Sequence, residues 1–296
     1  MVIGLFLNLS YFCRNMKKEV IETVTGSPAI DGAGVHLVRV LGHDTMYKFD
    51  PFLMLDAFDS TNPADYIKGF PMHPHRGIET FTYLMKGQID HEDSLGNKGS
   101  INGGEAQWMT GGSGIMHQEM PQATEHMLGL QFWINLPAKE KMTEPKYFDI
   151  SVDMIKEFDE EGAKVKVIAG KYKDYQGVEG HHLPATVLDV IIDRNMDFSM
   201  KSDPDKTLFV YIVEGSGSFG DKQQWVPRKT AVLFDEGDEF YVKAGNDGIR
   251  FILVTAPPLG EPIAWGGPVV MNTKEELRKA FDELSEGTFI KHKPQR

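Results

Sequence analysis

The sequence predicts an all-β protein of antiparallel strands, and three observations carry that expectation. Strand-like runs are short and frequent, 30 glycines and 16 prolines supply turns between them, and a weak internal repeat relates the two halves of the chain. In the first half the runs are VHLVRVL (35–41), ETFTYLM (79–85), EAQWMT (105–110) and MLGLQFWINL (127–136). In the second they are TVLDVIID (186–193), TLFVYIV (207–213), TAVLF (230–234), EFYVKA (239–244) and IRFILVT (249–255). β-Branched and aromatic residues dominate them, and turn formers such as SLGN (94–97) and GSG (215–217) separate them. This is the pattern of an antiparallel sandwich or barrel.

The repeat sets Tyr83-Leu-Met-Lys-Gly87 against Tyr211-Ile-Val-Glu-Gly215, at an offset of 128. With one small gap, Gly104–Gly112 overlays Arg228–Gly237 at an offset of 125. Each half would then be one β-barrel, joined in the charged KEFDEEGAKVK stretch (156–166). A length of 296 residues favours two domains, assigned as 16–155 and 156–296. A helix is expected only near the end. Thr273-Lys-Glu-Glu276 is a capping-box pattern, Leu277, Ala280, Phe281 and Leu284 share one face, and Gly287 is a stop.

Composition narrows the function classes. Net charge is −12 with no basic cluster, which argues against direct nucleic-acid binding. No apolar run reaches the roughly 18 residues a spanning helix needs, so no membrane role is expected. The single cysteine, Cys13, rules out an intrachain disulfide and a cysteine-based zinc site, and fits a reducing, cytoplasmic setting. Residues 1–15, MVIGLFLNLSYFCRN, are apolar but carry their charge after the apolar stretch and no small-residue cleavage site. They read as an extension from an upstream start, with Met16 as the natural one and MKKEVIETVTG as the first strand. Cys13 is therefore given no catalytic role.

Two short motifs carry chemistry. In FPMHPHRGIETFTYL (70–84), His73 and His75 flank Pro74. Residues i and i+2 of an extended chain share a face, and proline holds itself and its predecessor extended, so both imidazoles project side by side. In GGSGIMHQEMP (111–121), His117 and Glu119 repeat the spacing after a run of glycines. On adjacent strands, His73, His75, His117 and Glu119 would converge into a set suited to a divalent transition metal. It resembles the two-histidine, one-carboxylate arrangement of non-haem iron with one histidine added.

HPHRGIETFTYLMKG, HEDSLGNKG and QWMTGGSGIMHQEMP together resemble the pirin family, a branch of the cupin superfamily. The likeness continues through GLQFWINLP (129–137) and returns in APPLGEPIAWGGPVVMNTKEEL (256–277), covering nearly the whole chain from Met16. It implies two stacked antiparallel β-barrels (a bicupin), with one metal, normally Fe(2+), in the first. It maps the ligands onto His73, His75, His117 and Glu119. In the general cupin pattern a glutamate soon after the HxH binds metal, and Glu79 sits there. In pirins the carboxylate comes from the later HxE, which makes Glu79 a supporting or structural residue.

No HxH occurs in the second half. His73 and His75 fall opposite Lys201 and Asp203, and His117 and Glu119 opposite Val242 and Ala244, so that barrel is expected to lack metal ligands. His181 and His182 are adjacent and read as a loop pair. His91 and Glu92 read as a solvated rim, and Glu125 and His126 as a polar loop. Trp108, Phe132 and Trp133 read as core, while Met109 and Met116 suit either the core or the metal cavity.

The resemblance implies an activity of the quercetin 2,3-dioxygenase type, opening a flavonol ring with O₂ and releasing carbon monoxide. Glu119 would accept the proton of the 3-hydroxyl. The competing reading is an iron-dependent redox sensor that acts on a regulatory protein partner; a third is a cupin enzyme with another small-molecule substrate. The same ligands would also accept nickel, copper or zinc.

Overall fold

The computed structural model describes residues 16–292, so Cys13 and the 1–15 segment lie outside the described residues. In the first half, seven strands form one sheet. Their order is Lys146–Ile150, Glu105–Thr110, Ile78–Lys86, Met127–Asn135, Phe52–Ser60, Val35–Leu41 and Ser27–Asp31. Four more form a second sheet, in the order Phe70–His75, Ile115–Pro121, Gln88–Asp93 and Lys98–Asn102. In the second half one nine-stranded sheet includes two long strands, Thr207–Phe219 and Glu239–Ala256, that change partners midway.

The class is all-β as predicted, but strand pairing leaves the sheets open instead of closing them into barrels. Phe70–His75 shows why. It is an edge strand, and Pro71 and Pro74 have no N–H with which to recruit another neighbour.

The repeat is visible in the register. Phe81 lies opposite Trp108, and Phe209 opposite Leu233, reproducing the offsets of 128 and 125. The expected turn GSG (215–217) is corrected, since it lies inside one continuous strand, and the runs 239–244 and 249–255, expected as separate strands, form one. Gly215 and Gly248 both take positive φ, and a Cβ on Gly215 would overlap the Gly248 carbonyl. The paired glycines allow register shifts that bend both strands together, so neither has to end.

The halves share one apolar core. Phe209 meets Phe49, Phe52 and Phe132 at ring-centroid distances of 5.4, 5.1 and 6.2 Å. Within it the Tyr83 hydroxyl donates to Asp189 (2.8 Å), whose carboxylate also takes two bonds from Arg250 (3.0 and 2.7 Å). This compensates the buried charge.

Both ends of the described chain cross over. Val20–Val24 pairs with Thr230–Phe234 in the second half's sheet. Near the other end, Val270 N–H donates to the Arg76 carbonyl (3.0 Å), beside the HPH motif. A Cβ on Gly77 would overlap the Val270 carbonyl, which accounts for the glycine after HPHR. The helix spans Lys274–Ser285, with Thr273 and Glu276 closing the capping box and Gly287 at φ 71° beyond it. Ala280 is buried and Leu277 and Leu284 pack with it, whereas Phe281, expected on the same face, is 38% exposed. Among the described residues no helix is long and apolar enough to cross a membrane.

Candidate metal centre

The two motif strands are hydrogen-bonded neighbours in the four-stranded sheet. His117 lies directly opposite His73, and Ile115 opposite His75. Directly opposed residues share a face, as do residues two apart on one strand. Three imidazoles therefore meet, with centroid separations of 4.9, 4.3 and 5.0 Å and ligand nitrogens all within 4.8 Å of one another.

The hydrogen bonds around the rings decide which nitrogens face inward. His73 Nδ1 lies 2.9 Å from the Pro71 carbonyl and His75 Nδ1 lies 3.3 Å from the Pro268 carbonyl. A carbonyl only accepts, so both Nδ1 atoms carry the proton and both Nε2 atoms keep a lone pair in the neutral ring. Those two Nε2 atoms are 3.1 Å apart, a repulsive contact unless something positive joins them. His117 Nε2 is buried with no hydrogen-bond partner among the described residues. Burial, with the neighbouring His73, pushes His75 down to about 3, and burial with His75 and His73 lowers His117 well below its usual value. Both rings are thus neutral at neutral pH, as metal ligands must be. One divalent cation would satisfy all three nitrogens, and the donor set fits it.

Glu119 stands outside the close group of three. Its carboxylate accepts from Gln131 Nε2 (3.1 and 2.8 Å) and from Thr82 Oγ1 (3.3 Å), and it lines the same cavity as His73 and His75. Glu79 is held elsewhere, accepting from Trp108 Nε1 (3.1 Å) and Thr110 Oγ1 (2.8 Å). Burial, opposed by those two bonds, pushes its carboxyl up to about 7.

The folded chain therefore binds the Glu79 proton more tightly than the unfolded one, and stability falls as pH rises from about 4.5 to about 7. Glu79→Gln is expected to remove this loss, gaining up to about 3 kcal/mol on wild type across that window. Denaturant midpoints of both proteins from pH 5 to 8 measure it, and a constant gap between them would refute the assignment.

Residues 34–134 match the family described as Pirin, and residues 187–290 match the Pirin C-terminal cupin domain. The chain belongs to the pirin family. A Caulobacter vibrioides pirin-like protein is 40% identical over 276 residues, covering 92% of this chain and 99% of its own. A Pseudomonas aeruginosa protein, named provisionally as a quercetin 2,3-dioxygenase, is 39% identical over 280 residues, covering 92% and 98%. Among solved structures, a quercetin 2,3-dioxygenase from Acinetobacter baumannii superposes with a TM-score of 0.84 at 31% identity, covering 92% and 98%.

In this pirin His73, His75 and Glu119 line a cavity of about 590 Å³ between the two sheets of the first half. Asp56, Gln131, Met54 and Trp133 come from the seven-stranded sheet, and Trp265, Gly267 and Pro268 from the returning C-terminal segment. Sequence reasoning missed Pro268, Trp265, Arg39, Asp56 and Gln131, because nothing local marks them as neighbours of the histidines. Trp133 was read as core; it is buried, but its ring also stands edge-on to His75 at 5.0 Å. Met109 is core, fully buried and outside the cavity lining.

His91 is corrected. It was expected on a solvated rim and is 5% exposed. Its strand runs beside Ile115–Pro121, and its ring meets the Tyr147 hydroxyl, which also contacts Asp149 and accepts from Gln107 Nε2 (2.9 Å). His181 and His182 lie in an irregular segment, with His182 Nδ1 3.3 Å from Glu140.

Proposed function

We propose that this pirin binds one divalent metal, Fe(2+), through His73, His75, His117 and Glu119, and uses it with O₂ to open flavonol rings. The carrying observation is the cluster of three imidazoles, those of His75 and His117 buried, with His73 and His75 presenting lone pairs to each other at 3.1 Å and His117 holding an Nε2 unpartnered among the described residues. The names of the Pseudomonas and Acinetobacter relatives support a small-molecule, quercetin-like substrate. The bound metal supplies Lewis-acid polarisation of a substrate hydroxyl.

The chain's own groups do the rest. Glu119, held by Gln131 and Thr82 apart from the imidazole group, takes the 3-hydroxyl proton on a carboxylate oxygen. Pro71 and Pro268 fix the ring orientations of His73 and His75 through their carbonyls. Met54, Phe70 and Trp133 line the cavity and exclude water from the substrate.

The test is to measure bound metal in the purified chain, then follow loss of flavonol absorbance together with oxygen uptake, with His73→Ala as control. No turnover by iron-loaded protein would sink the flavonol reading. Glu119→Gln is expected to weaken metal binding and, when saturated with iron, to lose about 100-fold or more in turnover. Full activity in that variant would remove Glu119 from the proton step.

A further inference from the structure

The cavity wall that leads from the imidazoles to solvent is a file of aromatic rings. Trp133 stands edge-on to His75 (5.0 Å, 84°), Trp265 leans on Trp133 (5.8 Å, 45°), and His43 stacks on Trp265 (4.0 Å, 24°). The Trp133 side chain is about nine-tenths buried, yet its indole N–H has no hydrogen-bond partner. The Trp265 N–H is satisfied by the Gly267 carbonyl (2.8 Å), which pins the ring.

Beside this wall the lining is polar. Arg39 donates to Asp56 through Nε and Nη2 (2.9 and 2.7 Å) and to Asp31 through Nη2 (2.6 Å). Asp31 and Asp56 thus face a single guanidinium, and among the described residues no lysine lines the cavity. A carboxylate or phosphate placed beside Asp31 and Asp56 would meet two carboxylates against one guanidinium, and so repulsion. Asp31 is half exposed and has only one bond on each oxygen, from Gly32 N–H (2.7 Å) and from Arg39, so it can accept more.

We propose that this mouth is a ring-recognition subsite, separate from the metal ligands. The His43–Trp265 stack takes a face of the ligand's outer aromatic ring, and Asp31 accepts a hydrogen bond from a hydroxyl on that ring. The ligand class is a neutral, hydroxylated, planar aromatic. This deepens the flavonol reading and rests on it.

The test titrates full-length protein loaded with zinc, under anaerobic conditions, with quercetin and with galangin. The two flavonols differ in their outer ring, which carries two hydroxyls in quercetin and none in galangin. Wild type is expected to prefer quercetin about fivefold. Asp31→Ala, which removes the acceptor, should reduce that preference to near unity. His43→Ala and Trp265→Ala should each weaken both ligands about five- to tenfold, and Trp265→Phe should restore most of the loss. Metal content and thermal midpoint of each variant verify that it is folded.

Variants that are folded, hold metal and bind both flavonols as wild type does would overturn the subsite while leaving ring opening intact. Loss of binding in the variants, with no turnover by iron-loaded wild type, would support the subsite and sink the dioxygenase. Binding of neither flavonol by the wild type would overturn both.

Discussion

Replacing His117 with alanine is expected to abolish metal retention while leaving the metal-free protein about as stable as wild type. The ring is 2% exposed and its Nε2 has no partner among the described residues. Deleting it removes an unsatisfied buried polar atom, a gain of about 1–3 kcal/mol, and opens a cavity whose cost is of the same order. The two roughly cancel without metal. With metal they do not, because one of three converging imidazoles is gone. Losing a group that merely orients a ligand costs about 10–100-fold in affinity, so losing the ligand itself should cost at least about 100-fold. A hundredfold excess of metal over its dissociation constant stabilises a fold by about 2.7 kcal/mol, and this contribution would vanish. Thermal midpoints with and without a chelator read it directly: wild type should drop on chelation and His117→Ala should not move. Wild-type metal stoichiometry and affinity in the variant would refute the ligand set.

The largest effect on stability is expected from Arg76→Met. Arg76 follows the HPH motif and is 2% exposed. Its guanidinium donates to the carbonyls of Ser113 and Phe289 (2.8 Å each), pairs with Glu283 (2.8 Å) and lies 4.1 Å from the Phe289 ring centroid. Methionine fills much of the volume and satisfies none of these groups, so a cost of about 3–5 kcal/mol is expected. The same change should loosen the segment that brings the Pro268 carbonyl to His75, lowering metal affinity about tenfold. Denaturant unfolding gives the first quantity, and amide exchange over the helix Lys274–Ser285 shows whether the tail has come free. Arg76→Lys, which keeps the charge without the planar fork, should fall between. An unchanged unfolding midpoint in Arg76→Met would refute the latch.

How legible each feature was in the sequence depended on how local its cause is. Val35–Leu41, Glu105–Thr110 and Thr230–Phe234 coincide with predicted strands, since β-branched and aromatic runs between turn formers need no distant information. The convergence of His73, His75 and His117 was legible because a period of two and a proline fix side-chain direction within three residues. The polar lining was not. Asp56, Gln131, Thr82, Gln107 and Asp149 lie successively opposite one another across five strands. Alternation alone would turn such residues to solvent. Here Phe81 and Tyr83 cover one face of the sheet against the second half, and the cavity takes the other, so Thr80 and Thr82 are buried as well. Gly215 and Gly248 misled for a similar reason: each reads as a turn alone, and only their contact across strands makes them a shared bend.

The crossed ends impose an order on assembly during synthesis. Val20–Val24 emerges early, yet its strand partner Thr230–Phe234 is made only after most of the chain. His73, His75, His117 and Glu119 all leave the ribosome long before the Pro268 carbonyl that sets the His75 tautomer or the Phe289 carbonyl that anchors Arg76. A nascent chain can hold every candidate ligand and still lack the finished centre. On the proposed ligand set, metal capture in this geometry would belong to the released protein, and a chain cut short before its terminal helix is expected to be metal-poor with its histidines intact.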